Sequence, residues 1–275
     1  HDDQIHGRFH SNSQILLGWD RKAAPRFLGK VTTVGGYRIV GGSRARARRE
    51  IFPHGVDTRA PRVAMRRLAL LQDVPIDAGG TQQHRISRDA LVIFHADGTA
   101  SWRDVAGGVE QRASIGQQPL LLLANDGVTL HVRGTVRGAV LVYSPRRIVI
   151  TGDLRYATDV RGDPSSGDYL GLVSDGSVDI ADSDVTGPGD LTVEAAIYAR
   201  REFAVRDLYS AQPGVLAIYG SVSAGTVTAT EPRYATRYEF DARFERLRPP
   251  AFPVTDRYEL DPWDGRWLPL NGTAD

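Results

Sequence analysis

Aspartates are the residues of this chain whose type and spacing most readily suggest chemistry. They fall in two groups, within stretches that also contain Gly and Ser: Asp159, Asp163 and Asp168, and then Asp175, Asp179, Asp182 and Asp184. Paired carboxylates can catalyse glycoside hydrolysis, and clustered carboxylate oxygens can bind Ca²⁺. Aspartate in a turn has a simpler role, which is to accept hydrogen bonds from nearby backbone amides. The segment SDGSVDIADSD is turn-rich and lacks the regular nonapeptide of calcium-binding β-rolls. We therefore expect the turn role, assign no catalytic residue and expect no cofactor, with Ca²⁺ as the alternative.

Two histidines near the start, His6 and His10, are the closest approach to a metal-binding pair. Their context predicts a strand, in which four residues span about 13 Å, too far for both side chains to bind one ion. A turn at Gly7 is the condition for a metal site here. The favoured interpretation is a pair of ordinary strand or surface histidines.

Arginine is concentrated in one segment. Residues 43–59 are polar, basic and irregular in pattern, which predicts a surface loop. The basic patch within that segment consists of Arg44, Arg46, Arg48 and Arg49. Phosphate or another polyanion could bind there. Because nearly all basic residues of the chain are arginine, a solvated face is favoured, and a net charge of +1 gives no global field that would attract nucleic acid.

The last segment, 231–275, is rich in aromatic residues, arginine and acid. Candidates for a sugar-stacking or partner-binding surface are Tyr234, Tyr238, Phe240, Trp263 and Trp267. The prolines at 249, 250 and 253 favour an extended path. We expect the segment mainly to form a cap, because an uncovered end of a repetitive β-structure would aggregate.

The elements that must position these residues are short β-branched segments separated by glycine, over residues 120–230. Apolar and polar residues alternate within pieces such as GVTLHVRG and RRIVITGDL, which predicts half-buried strands. The pieces return at roughly 18–25 residues, a period that indicates stacked coils. We predict a mainly β protein that forms a short, irregular right-handed β-solenoid or β-roll.

The N-terminal region, 1–119, is predicted to add short strands that pack on this solenoid. One of them is Ala90–His95, after which an Asp97-Gly98 turn sends the chain back. The pattern also predicts one helix at about 60–72, with Pro61 in its first turn and an apolar face. The three regions 1–119, 120–230 and 231–275 are expected to form one continuous unit.

Composition excludes several classes of chemistry. The chain has 275 residues and no cysteine, so disulfides, thiolate metal sites and cysteine nucleophiles are excluded. It contains no phosphate-binding loop, dinucleotide fingerprint, nucleophile elbow or HExxH motif. No apolar run is long enough to predict a membrane span.

Several segments together resemble a group of secreted bacterial proteins that are described as type IV pilus assembly (PilX-like) or as uncharacterised. They are HGRFHSNSQI and PRFLGKVTT, then VRGTVRGAVLVYSPRRIVITGDLRYA and DYLGLVSDGSVDIAD, and finally YEFDARFERLRPPAFPVTDRYELDPWDGRW. The resemblance implies a β-rich domain exposed at the envelope or outside the cell, preceded by a pilin-like helix. It supplies no catalytic residues. Since the chain starts at His1 and its only methionine is Met65, we expect an anchoring or targeting segment to have been removed.

The favoured function is therefore a non-enzymatic structural or adhesive ectodomain of a bacterial pilus-associated or cell-surface protein. Its expected partners are other pilus or envelope proteins, further copies of itself, or a glycan. It would meet the membrane only through a segment outside this chain. One alternative is a polysaccharide lyase or hydrolase, which requires carboxylates or arginines beside a groove. The other is a self-assembling solenoid scaffold, which requires an uncovered end.

Overall fold

Strands dominate the fold, so the prediction of a mainly β protein is confirmed. The structure is a computed structural model that describes residues 3–19, 24–41, 44–65, 80–116, 118–209, 212–246 and 252–253. Up to residue 57 the elements are β1 (Gln4–His6), β2 (Phe9–Ser11), β3 (Ile15–Gly18), β4 (Arg26–Phe27), β5 (Val31–Thr33), β6 (Tyr37–Val40), α1 (Arg44–Ile51) and β7 (Val56–Asp57).

The remaining elements begin at residue 82. They are β8 (Gln82–Ile86), β9 (Ala90–His95), β10 (Thr99–Asp104), β11 (Gln111–Ser114), β12 (Leu120–Ala124), β13 (Thr129–Val136), β14 (Ala139–Ser144), β15 (Arg147–Tyr156), β16 (Tyr169–Ser174), β17 (Ser177–Ile180), α2 (Ser183–Thr186), β18 (Leu191–Val205), β19 (Gly214–Val227), β20 (Tyr234–Phe240) and a 3₁₀ helix (Ala242–Glu245).

Most strands pair in parallel, in three ladders. The first ladder runs β8–β12–β14–β16–β18, and the second runs β9–β13–β15–β17–β18. The third ladder runs β18–β19–β20–β1–β4 and meets β15 at Leu154. The long strand β18 belongs to all three, because its successive parts pair with β15, then β16, then β17. The parallel ladders thus extend beyond residues 120–230 on both sides.

The core lies between the ladders and is built from alternate positions of each strand. In the first ladder the register places Leu122 beside Val142, Val142 beside Leu172, and Leu172 beside Ile197, and all four are fully buried. Burial of each such side chain contributes about 1.5–3 kcal/mol. Because these parallel strands pair in register, their aliphatic side chains form one buried column across four strands.

An antiparallel hairpin extends the second ladder beyond its parallel part. Strand β9 turns at Gly98, which has φ +83°, and pairs with β10, which pairs in turn with β11. Trp102, Ala113 and Ile115 from this hairpin and its exit are buried in the same core as the parallel strands. The predicted strand Ala90–His95 and the predicted Asp97-Gly98 turn are confirmed.

The start of the chain completes the third ladder. Strand β1 lies between β20 and β4 and is parallel to both, so the first strand is inserted next to the last one. Helix α1 then packs against β4 and β6. Its buried Ile51, together with Phe52, contacts the inward-facing Phe27 and Val31.

The predicted helix at about 60–72 is tested only at 60–65, which are not helical, because 66–72 lie outside the described residues. The prediction that residues 43–59 form a loop is wrong, since helix α1 occupies Arg44–Ile51. The reason is a short amphipathic pattern: Ala47 and Ile51, four residues apart, face the core, and Arg46 pairs with Glu50 on the exposed side. The many arginines concealed this narrow apolar stripe.

Candidate functional site

A concave site of about 230 Å³ lies on the outer face of the second ladder. We call it the second-ladder groove, and its lining consists of His131, Arg147, Val149, Thr151, Ala181, Asp182, Val185 and Arg206. Strands β13 and β15 supply one side, and α2 with the end of β18 supplies the other. The groove is therefore made by residues that are far apart in sequence.

Strand register explains why these side chains meet. His131 pairs with Val149, and Val149 pairs with Asp179, so the three form one outward-facing column across β13, β15 and β17. The neighbouring outward column contains Arg147 beside Ser177. Parallel strands lie about 4.8 Å apart, so outward residues of β13, β15 and β17 come close enough to form one site.

An ion pair beneath the groove fixes one of its arginines. Arg206 Nη2 donates to Asp179 Oδ2 at 2.7 Å, and Nε donates to the same oxygen at 3.2 Å. The Asp179 side chain is fully buried, and its hydrogen bond raises the pKa of Arg206 above the ordinary value. This charge-assisted contact orients Arg206 towards the groove.

Arg147 is held less tightly. Its Nη1 lies 3.8 Å from Asp179 Oδ2, beyond hydrogen-bond distance, and its side chain is 34% exposed. Its Nε is buried and has no hydrogen-bond partner among the described residues, and neither has Asp179 Oδ1. Buried polar atoms are rarely left in this condition, so the groove contains donors and acceptors that the described part of the chain does not satisfy.

His131 is a half-buried member of the lining. Burial lowers the pKa of this imidazole below its ordinary value of 6.5, nearby Asp89 opposes that shift, and the positive charge of Arg147 adds to it. The neutral form is thus favoured at neutral pH, in which the ring offers one donor and one acceptor.

Buried Arg233 supports the α2 side of the groove. Its Nη1 donates to the carbonyl oxygens of Ala181 and Arg206, at 2.7 and 2.6 Å, and its Nη2 donates to Thr186 Oγ1 at 2.6 Å. Its side chain also lies against the ring of Tyr234, 4.8 Å from the centroid. Arg233 therefore joins three segments that border the groove from a position that no ligand reaches.

A smaller concavity of about 160 Å³ lies on the third ladder, beside Arg161. The Arg161 guanidinium pairs with Glu194 and Glu239, each at 3.2 Å, and lies 3.9 Å from the ring centroid of Tyr219. Burial raises the pKa of Tyr219 to about 12. Because the charged groups here already satisfy one another, this cluster has less capacity for a ligand than the second-ladder groove.

The structure separates the two histidines proposed as a metal pair. The chain bends at Gly7, but exposed His6 pairs with Glu239 in the third ladder, whereas His10 pairs with Thr32 in another sheet. His10 uses both ring nitrogens, one with Thr32 Oγ1 at 2.9 Å and the other with Asn12 Oδ1 at 3.1 Å. Within the described ranges, no group of three or more His, Cys, Asp or Glu residues could hold a metal ion.

The predicted basic patch lies on α1. Arg44 begins the helix, Arg46 pairs with Glu50 at 2.9 Å, and Arg48 and Arg49 are exposed. Helix α1 packs on β4 and β6, and none of the four arginines is among the residues that line the second-ladder groove.

The predicted aromatic surface is divided by burial. Tyr234 is fully buried in the main core, and Tyr238 is half-buried and donates to the carbonyl of Gly220 at 3.0 Å. Phe240 packs against buried Phe244. Strand β20, which carries the first three, lies between β19 and β1 and so is internal to the ladder, while Trp263 and Trp267 lie outside the described residues.

The predicted turn role holds for Asp159 and Asp163. Asp159 accepts from the amide of Arg161, and Asp163 accepts from the amide and hydroxyl of Ser165. Three other aspartates join segments that are further apart. Buried Asp168 accepts from the amides of Gly138 and Thr158 at 2.7 and 2.9 Å, Asp175 accepts from the Tyr143 hydroxyl at 2.9 Å, and Asp179 pairs with Arg206.

Sequence reasoning missed the residues of the groove. His131 stands between Leu130 and Val132, so alternation alone places it on an outer face. Which outer residues become neighbours depends on the register between paired strands, and the segments that connect those strands differ in length. No signal in the sequence joined His131 to Arg147 and Arg206.

No protein-family model, curated protein sequence or solved structure matches this chain. Within the described part of the chain, no helix has the length and apolar character needed to cross a membrane.

Proposed function

We propose that this chain is a short right-handed β-solenoid with covered ends that acts as a structural or adhesive ectodomain. The solenoid winding is supported by the three in-register parallel ladders and by β18, which passes through each of them in turn. The right hand follows from the strong preference of parallel crossover connections. The three regions expected from the sequence then belong to one structural unit, since β1 from the first region pairs with β20 from the last.

The covered ends carry the functional proposal. At one end the β9–β11 hairpin places Trp102 and Ile115 over the core, and at the other α1 places Ile51 over Phe27. A filament-forming solenoid needs open, complementary ends, whereas a capped one offers its lateral faces. Capped ends therefore favour a discrete module that presents a side surface to a partner over a self-assembling scaffold.

An enzymatic role is less well supported. The buried carboxylate beneath the groove, Asp179, pairs with Arg206 at 2.7 Å and does not belong to the lining. The exposed Asp182 has no comparable buried partner with which to form an acid–base pair. The groove is thus better suited to binding than to hydrolysis.

A location at the bacterial envelope or outside the cell, in association with a pilus-like system, is part of the same proposal. It is supported by the segments that resemble pilus-assembly proteins, such as HGRFHSNSQI and DYLGLVSDGSVDIAD. Envelope proteins or glycans are the expected partners.

The test has two measurements. Light scattering coupled to size exclusion, with electron microscopy, should show a monomer without filaments across a wide concentration range. Antibody labelling and protease treatment of intact cells of the source organism should reach the protein from outside. Filaments, or protection from protease until the cells are lysed, would contradict the proposal, and release of reducing ends or unsaturated products from a polysaccharide would replace it with the lyase or hydrolase alternative.

A further inference from the structure

We propose that the second-ladder groove binds the oxyanion groups, carboxylate or sulfate, of an acidic polysaccharide. The proposal rests on the adhesive function proposed above and names its ligand class. It starts from Arg147, whose side chain is one-third exposed in the groove and has a buried Nε without a partner among the described residues.

The two arginines of the groove differ in how much hydrogen-bonding capacity they retain. Arg206 makes two hydrogen bonds to Asp179 Oδ2, which occupy its Nε and one of its Nη donors. Arg147 remains 3.8 Å from the same oxygen. Arg147 thus makes a long ion pair but no hydrogen bond to Asp179, and a planar guanidinium in this condition is suited to bidentate recognition of a carboxylate or sulfate.

Neighbouring positions continue the positive surface along the ladder. Strand pairing places Arg103 beside Leu91, and Leu91 beside His131, so Arg103 lies two strands from the groove on the same face. Arg133 follows His131 at the next outward position and is exposed. Arg103 on β10, Arg133 on β13 and Arg147 on β15 thus lie at three different register positions of this outward face, over four neighbouring strands that are about 4.8 Å apart. A surface of this length fits a linear polymer better than a single small anion.

The charge balance favours an acidic glycan over nucleic acid. Asp179, Asp182 and Glu202 lie in or beside the same surface, and like charges would oppose a densely charged phosphodiester backbone. A glycan carries fewer charges and brings hydroxyl groups. His131 and Thr151 line the groove as polar partners for such hydroxyls.

The direct test measures binding of the whole chain to polymers of defined charge. Alginate carries carboxylates, dextran sulfate carries sulfates on a neutral backbone, and unmodified dextran is its matched neutral control. Single-stranded oligothymidylate represents nucleic acid. Calorimetry at physiological salt should show binding to alginate or dextran sulfate, not to dextran, and the stronger of the two identifies the oxyanion.

Variants then locate the site. Arg147→Gln should weaken binding about tenfold, as expected for loss of one charge-assisted contact. Arg147→Lys should recover part of that loss, since it keeps the charge but not the planar fork. Arg38→Gln, at an exposed position of β6, is the matched single-charge control and should leave affinity unchanged. Circular dichroism checks that each variant is folded.

Three results would overturn the proposal. These are equal binding by Arg147→Gln and the wild-type chain, no binding to either acidic glycan, or tighter binding to oligothymidylate than to both glycans. Analysis of the polymers after incubation distinguishes this proposal from the wider function. Binding that depends on Arg147 together with cleavage of the polysaccharide would support the glycan site and contradict the non-enzymatic role. A surface-exposed monomer that binds no glycan would support the ectodomain and contradict the glycan site.

Discussion

Arg243 and Asp241 form a buried ion pair in which Arg243 donates to both carboxylate oxygens, with the shortest contact at 2.7 Å. The Arg243 Nη1 also donates to the carbonyls of Ser166 and Asp168, both at 3.1 Å. The pair therefore ties the 157–168 loop to the segment that follows β20. The rings of Tyr156 and Tyr169 complete the enclosure.

Replacement of Arg243 by Leu should lower the free energy of unfolding by about 3–5 kcal/mol, because it leaves Asp241 buried without its countercharge. Urea denaturation measures the change. The double variant with Asp241→Asn should recover part of the loss, and exposed Arg246→Leu should cost little. A single Arg243→Leu variant as stable as the wild type would contradict this role.

Replacement of Gly134 by Ala should destabilise the second ladder. Gly134 has φ +115°, and a Cβ there would collide with the backbone of Phe94 in the adjacent strand. Gly127 also has a positive φ, +79°, but has open space around the same position. Both variants carry the conformational cost, and overpacking adds about 1–3 kcal/mol for Gly134→Ala alone. Equal losses in urea denaturation would show that close strand approach is unimportant.

Removal of the helical cap should have two effects. Ile51→Ala truncates a fully buried side chain against Phe27 and Phe52, with an expected loss of about 2–5 kcal/mol. It should also loosen α1 from β4 and β6, so that light scattering detects concentration-dependent oligomers. Arg48→Ala, on the exposed face of the same helix, is the control for both measurements. An Ile51→Ala chain that is destabilised yet strictly monomeric would argue that other residues protect this end.

Stability should fall as the pH drops below about 6.5. Burial lowers the pKa of both His84 and His131 beneath that ordinary value, so in this window the unfolded chain binds more protons than the folded one. Their contribution is complete above pH 6.5 and is lost as the pH falls through the folded-state pKa values. Urea midpoints at pH 8 and pH 5 measure the change. His131→Gln should reduce the pH dependence, whereas exposed His54→Gln should leave it unaltered.

The strands and turns of this protein follow closely from local sequence. Alternation in GVTLHVRG predicted β13, and the Asp97-Gly98 pair predicted the β9–β10 turn, because side-chain period and turn chemistry act over a few residues. The turn role of Asp163 was foreseeable for the same reason. Helix α1 was not, since its apolar stripe consists of only Ala47 and Ile51 among arginines.

The sequence by itself determined which residues form strands and which faces of them are apolar, because both depend on neighbours along the chain. Only the tertiary structure decided that β1 lies beside β20 and that His131, Arg147 and Arg206 share one groove. Those relations depend on the register between strands that are far apart in sequence. That register is selected by the combined burial of aliphatic columns such as Leu122, Val142, Leu172 and Ile197, and not by any local pattern.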